Sequence, residues 1–164
     1  MIYELHNRNP FGLQYPDNGD KIPFASKITD NIWIGNIYDG MDEAYQQSLG
    51  IDAIINVMGS PMQVQLGPIL VRPVFVPPML SYSQFPLNQP FGDTLPLAQA
   101  AVKKLEVYAK KAGFRVLVHC LSGRDRSVSV VWKYLVDIEK KDEQVAELMI
   151  KNIRPFAIIH KDWW

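Results

Sequence analysis

A single cysteine among 164 residues rules out an internal disulfide, and a lone free thiol suits a reducing compartment. Basic and acidic side chains balance at 17 each, for a formal net charge of +0. No excess of one sign marks the surface for nucleic acid or for a membrane. No run of about 18 apolar residues is present, so no membrane-spanning helix is expected. The opening MIYELHNRNP lacks the basic start and apolar stretch of a secretory signal. The histidines His6, His119 and His160 stand far apart and suggest no metal site. Internal repeats and low-complexity tracts are lacking too. The expectation is a soluble intracellular protein, cytoplasmic with the nucleus left open, built as one domain large enough to bury a core without staples.

What is there has a clear order. Residues 1–25 mix Pro, Gly, Asn and aromatics without a period and read as an irregular N-terminal arm, whose Tyr3, Phe11, Tyr15 and Phe24 can pack on the domain. Residues 26–164 read as one domain. Ile32–Ile34 is a strand stopped by Gly35, and Asp39–Leu49 a helix stopped by Gly50. Ile51–Val57 is apolar enough for a strand buried on both faces. Val71–Val76 reads as a strand, and 77–96 as a long proline-rich loop of the kind that carries function. Leu95–Ala112 is an amphipathic helix with Leu97, Ala101, Leu105 and Tyr108 at helical spacing, capped by Asp93 or Thr94. Val116–Val118 is a strand. Helices follow over 127–139, with Val128, Val131, Trp132, Leu135 and Ile138 inward, and over 142–152, with Val145, Leu148 and Met149 inward. Alternating strands and helices predict an α/β fold: a mostly parallel sheet of four or five strands with helices on both faces.

The chemistry concentrates in His119-Cys120-Leu121-Ser122-Gly123-Arg124-Asp125-Arg126-Ser127, between a buried strand and a helix. Ligands of α/β sheets bind at the carboxyl ends of strands. A helix N-terminus offers free N–H groups and partial positive charge to an anion. A short loop curled around a phosphate, residues Leu121, Ser122, Gly123, Arg124, Asp125 and Arg126, aims further N–H groups inward, and Gly123 permits the backbone angles. Such surroundings favour a cysteine thiolate, so Cys120 is the candidate nucleophile. Arg126 has the planar fork that grips two phosphate oxygens. Ser127 can hydrogen-bond the sulfur, and His119 can orient the loop. The competing reading of Cys120 as a plain core residue does not account for the polar run behind it.

Val-His-Cys-x5-Arg-Ser resembles the signature of the dual-specificity branch of the protein tyrosine phosphatase superfamily. The resemblance extends over about 26–156, through Ser26-Lys-Ile-Thr-Asp-Asn-Ile-Trp-Ile-Gly-Asn, Leu49-Gly-Ile-Asp-Ala-Ile-Ile-Asn-Val and Arg154-Pro155. It implies metal-independent and cofactor-free phosphomonoester hydrolysis through a phosphocysteine intermediate. The substrates it implies are phosphotyrosine and phosphoserine or phosphothreonine in proteins or peptides. A phosphoinositide or an RNA 5′-phosphate is the alternative substrate, with the neutral charge counting against RNA. A phosphate-binding module without turnover is the alternative of a different class.

The resemblance also implies a general acid, an Asp on a loop about thirty residues before the cysteine. The matching stretch Val76-Pro77-Pro78-Met79-Leu80 places Leu80 there, and no acid occurs between Arg72 and Phe91. Two substitutes remain. Asp93 ends the proline-rich loop, where its competing role is a helix N-cap. Asp125 lies inside the signature, in an Asp-Arg pair similar to that of myotubularin-like and Sac-domain phosphoinositide phosphatases; its competing role is an outward pairing with Arg124 or another cation. Arg124 itself is a candidate contact to the substrate beyond its phosphate.

Overall fold

The computed structural model describes residues 11–15, 21–58, 65–66, 69–70 and 80–164. Strands β1 (Ser26–Thr29) and β2 (Ile32–Gly35) form a hairpin. Helices α1 (Ile37–Met41) and α2 (Glu43–Ser48) lead into β3 (Ala53–Asn56). The short strands β4 (Gln65–Leu66) and β5 (Ile69–Leu70) pair with each other. Then come β6 (Ser81–Gln84), α3 (Leu95–Ala109), β7 (Val116–His119), α4 (Arg126–Asp137) and α5 (Glu143–Lys151). The main sheet has five strands in the order β1-β2-β7-β3-β6, parallel except for β1. This is the mostly parallel α/β sheet expected from the sequence.

The apolar strands divide their side chains between two faces, as a period of two requires. Ile32, Ile34, Ala53, Ile55, Val116 and Val118 join the main core with Leu105, Val128, Val131 and Leu135 of α3 and α4. Trp33, Ile54 and Leu117 point the other way and cluster with Ile51. A fully buried side chain of this size contributes about 1.5–3 kcal/mol, so the larger cluster carries most of the stability. The central strand β7 lies between β2 and β3, with His119 level with Gly35 on one side and Asn56 on the other. The chain therefore leaves β7 at the middle of the sheet's carboxyl edge.

Four local expectations change. The helix expected over Asp39–Leu49 is two helices. Asn36 opens α1 through a capping box with Asp39, and Asp42 closes α1 and caps α2 by accepting from Tyr45 N at 2.9 Å. Short polar side chains that satisfy end N–H groups let the chain restart a helix. Gly50 follows at φ +69°, the conformation expected of a stop. The 77–96 loop contains β6, a polar edge strand beside β3 whose residues are all partly exposed, so it has no apolar run to announce it. In α5 the buried residues are Ala146 and Ile150; Met149 is partly buried, whereas Val145 and Leu148 are 48% and 56% exposed. In α3, Leu97 is exposed while Ala101, Leu105 and Tyr108 are buried. The strand expected over Val71–Val76 lies outside the described residues, as does Tyr3.

The N-terminal segment 11–15 has no regular structure but is docked. Tyr15 is 1% exposed and packs edge-on against Phe156, and Phe11 N donates to the Tyr38 hydroxyl at 3.1 Å. The C-terminal tail also packs inward, burying Phe156 and Ala157 and setting Trp163 and Trp164 against Phe91.

Candidate active site

Residues 120–125 turn between β7 and α4, and their carbonyls are all held from outside the turn. His119 O accepts from Val57 N, Leu121 O from Ile37 N, Arg124 O from Ile158 N and Asp125 O from Ser129 N. Ser122 O accepts the Tyr15 hydroxyl at 2.6 Å, and Gly123 O the Arg154 Nε at 2.8 Å. Cys120 O lies 3.2 Å from His119 Nδ1. A carbonyl only accepts, so that bond puts the His119 proton on Nδ1. Burial holds His119 neutral, its pKa lowered to about 4 with the Arg126 charge assisting. Across a trans peptide the N–H points opposite to the preceding C=O. Carbonyls fixed outward therefore leave the N–H groups of 121–126 facing inward, and the first turn of α4 adds its own.

The cradle cannot be built with a side chain at 123. Gly123 has φ +66°, and a Cβ there would stand 2.6 Å from Gly35 O and run into the Arg154 guanidinium. Arg154 is the strut beneath the loop. It is fully buried, donates to Gly123 O, to Phe24 O at 3.0 Å and to Ser26 Oγ at 2.8 Å, and lies over the Phe156 ring. Asp39 is buried nearby; burial pushes its carboxyl up to about 7, against the Asn36 N–H and the Arg154 charge, which both pull it down. Arg154→Met removes the donor from three acceptors and one charge from this region. It is expected to cost roughly 3–5 kcal/mol in urea unfolding.

Cys120 is 1% exposed at the centre of the turn. Burial alone would raise its pKa, but the Arg126 charge, the Ser127 hydroxyl and the N–H groups of Ser127 and Gly123 outweigh it and hold the thiol below its ordinary value. The Ser127 Oγ lies 3.2 Å from Sγ. Alkylation of Cys120 by iodoacetate should therefore reach its plateau at a lower pH than that of a free cysteine. Ser127→Ala removes a group that favours the thiolate, so it should move the rise toward higher pH. A rise unmoved by the substitution counts against the Ser127 role.

Arg126 opens α4 and donates from Nη1 to Leu87 O at 3.1 Å. Its Nε is buried with no partner among the described residues. Leaving such a donor unmet is costly, and an oxyanion in the cradle would satisfy it. The cradle opens into a cleft of about 790 Å³ between the signature loop, the 87–89 stretch and the 11–14 segment.

The model of the dual specificity phosphatase catalytic domain matches residues 32–163. The chain belongs to the dual specificity phosphatase family. It is 28% identical over 129 residues to the Caenorhabditis elegans tyrosine-protein phosphatase vhp-1, a match covering 78% of this chain and 18% of that protein. It is 29% identical over 118 residues to the mouse dual specificity protein phosphatase 13B, covering 70% of this chain and 56% of that protein. The chain thus spans well under two thirds of either relative. The crystal structure of human DUSP28 superposes with a TM-score of 0.68 at 23% identity, covering 87% of this chain and 88% of that one, which shows the fold.

Against this family background the acid candidates separate. Leu80 packs beside Trp33 and Ile54, not in the cleft. The loop that does reach the cleft follows β6 and presents Leu87, Asn88 and Gln89. It carries no carboxyl, and an Asn88 amide has no acidic proton to give. Its shape is held by Asn88 N donating to Thr94 Oγ1 at 3.0 Å. Asp93 is exposed in a 3-10 turn, outside the cleft lining, and Thr94 rather than Asp93 occupies the cap position of α3. Asp125 lines the cleft. It is 5% exposed, not turned outward, and its oxygens meet Arg124 Nε at 3.0 Å and His160 Nε2 at 2.8 Å. The pairing with Arg124 that the sequence suggested is therefore present, but inside the site. Sequence reasoning missed Tyr15, the strut role of Arg154, Asn88 and His160. Two of them carried a partial signal: Tyr15 among the aromatics able to pack on the domain, and Arg154 in the Arg154-Pro155 segment.

Proposed function

We propose that this chain hydrolyses phosphomonoesters on proteins, phosphotyrosine and phosphoserine or phosphothreonine alike, through a phosphocysteine intermediate. The observation that carries the reading is the outward anchoring of the loop carbonyls around a thiol held below its ordinary pKa. The Cys120 thiolate attacks phosphorus; the S–P bond forms as the P–O bond of the substrate breaks. Inward N–H groups of 121–126 and the Arg126 fork hold the three phosphoryl oxygens, whose charge they stabilise in the transition state. Asp125 protonates the leaving oxygen. In the second step its carboxylate takes a proton from water as the new O–P bond forms and the S–P bond breaks. Ser127 donates to the departing sulfur. Residues 26–164 form the catalytic unit, with the 11–14 segment as part of its cleft wall. A cytoplasmic home fits the single free thiol.

Placement in the cleft favours Asp125 over Asp93. Asp125→Asn should lower kcat on a phosphotyrosine peptide by about 10²-fold or more, within the usual range for a general acid, while Asp93→Asn changes it by less than about twofold on the same grounds. The substrate reading is tested by turnover on phosphotyrosine, phosphoserine and phosphothreonine peptides beside phosphoinositides in mixed micelles. Peptides are expected to lead. Faster turnover of the lipids would overturn the protein assignment, and binding of any of them without turnover would overturn hydrolysis itself.

A further inference from the structure

His160 plays no part in the mechanism so far, yet it touches the group that does. Its Nε2 lies 2.8 Å from Asp125 Oδ1. The ring and the backbone that carries it are both held. Its ring stacks on Trp163 with centroids 3.7 Å apart and planes 1° from parallel. Its backbone N–H donates to the Ser129 hydroxyl of α4 at 3.1 Å. Two residues earlier, Ile158 N bonds Arg124 O of the signature loop. The tail is further tied by Lys161 to Glu147 at 2.9 Å. A residue from the end of the chain is thereby fixed against a buried carboxyl in the loop.

We propose that His160 is the positioning residue for Asp125 and the partner with which it shares its transferable proton. This rests on the reading of Asp125 as the proton donor. A nitrogen–oxygen contact of this length needs a proton between the two atoms. The Nε2–H of a neutral imidazole facing the carboxylate meets that need; one further proton on the pair, held as imidazolium and carboxylate or as imidazole and carboxylic acid, is the one transferred. When the P–O bond breaks, the leaving oxygen takes that proton through the carboxyl, and the electron pair of the broken bond becomes its O–H bond. The carboxylate left behind keeps the Arg124 Nε–H on its other oxygen, 3.0 Å away. The water of the second step returns a proton to the pair. The 87–89 stretch of the cleft wall carries no carboxyl and offers the proton no second route there.

Leaving groups separate this role from a merely structural one. 4-Nitrophenolate departs without help, whereas phenolate needs a proton. His160→Phe keeps a ring over Trp163 and removes the nitrogen. In the full chain it is expected to lower kcat/KM on phenyl phosphate by about 10- to 100-fold, the cost of a misplaced catalytic group. kcat/KM on 4-nitrophenyl phosphate and vanadate inhibition should stay within about twofold, since kcat/KM ends at phosphocysteine formation and neither readout needs a proton on a leaving oxygen. His160→Gln, which keeps an N–H donor but no transferable proton, should lose in the same direction by less, and it serves if the Phe variant does not fold. Equal losses on both substrates, or none on either, would overturn the inference. Asp125→Asn run alongside distinguishes the failures. If it shows the selective loss and the His160 variants do not, His160 alone is misassigned; if Asp125→Asn shows no selective loss, the donor reading itself falls.

Discussion

Cys120→Ser should abolish turnover, lowering kcat on the order of 10⁴-fold or more, as removal of a covalent nucleophile does. The reason is specific to this cradle. Everything around Sγ is arranged to favour an anion on that atom: the Arg126 charge, the Ser127 hydroxyl and the N–H groups of Gly123 and Ser127. A serine hydroxyl starts far less acidic than a thiol, and the same surroundings do not ionise it at neutral pH. The fold should be unchanged, because the carbonyl anchors through Val57, Ile37, Tyr15, Arg154 and Ile158 do not involve the side chain at 120. The variant should therefore still bind vanadate and phosphorylated peptide while failing to turn over. Turnover within about tenfold of wild type would mean that another group attacks phosphorus.

Arg126→Lys comes second in size. It should lower kcat/KM by roughly 10²- to 10³-fold, the usual cost of losing a donor aimed at transition-state charge. The substitution keeps the positive charge, so the Cys120 thiol should stay below its ordinary pKa and alkylate much as in the wild type. What goes is geometry. The guanidinium bonds Leu87 O through Nη1 and leaves Nε for an oxyanion; an ammonium group offers neither a fork nor a fixed plane. A kcat/KM that falls together with the loss of thiolate would assign Arg126 to pKa control alone. A loss of kcat/KM with alkylation preserved assigns it to the phosphoryl oxygens.

Much of this site is written locally. The strand β7, the loop and α4 form one continuous stretch, and the apolar run, Gly123 and the Arg126–Ser127 pair sit in it at fixed spacing. Period and punctuation found α3 and both faces of the sheet for the same reason. What stayed hidden is of two kinds. Elements with a polar pattern carry no period: β6 is Ser-Tyr-Ser-Gln along an edge, so the sequence does not show that the stretch after it, 87–89, reaches the cleft. Contacts between distant residues are not encoded in spacing at all. Tyr15 reaches Ser122 across 107 positions, and Arg154 reaches Gly123 across 31. Each replaces a turn of regular structure as the partner of a loop carbonyl, and only the folded chain reveals the pairing. The same holds for His160 and Asp125, 35 positions apart.

The central claim is that the Cys120 sulfur carries the phosphoryl group between the two steps. Rapid acid quench during turnover of a phosphotyrosine peptide, followed by mass spectrometry of the proteolytic fragment containing Cys120, tests it most directly. A phosphoryl group on Cys120 that appears within one turnover and decays as phosphate is released is the predicted result. Turnover at an undiminished rate with no phosphoryl group on Cys120 at any quench time would contradict the thiolate mechanism.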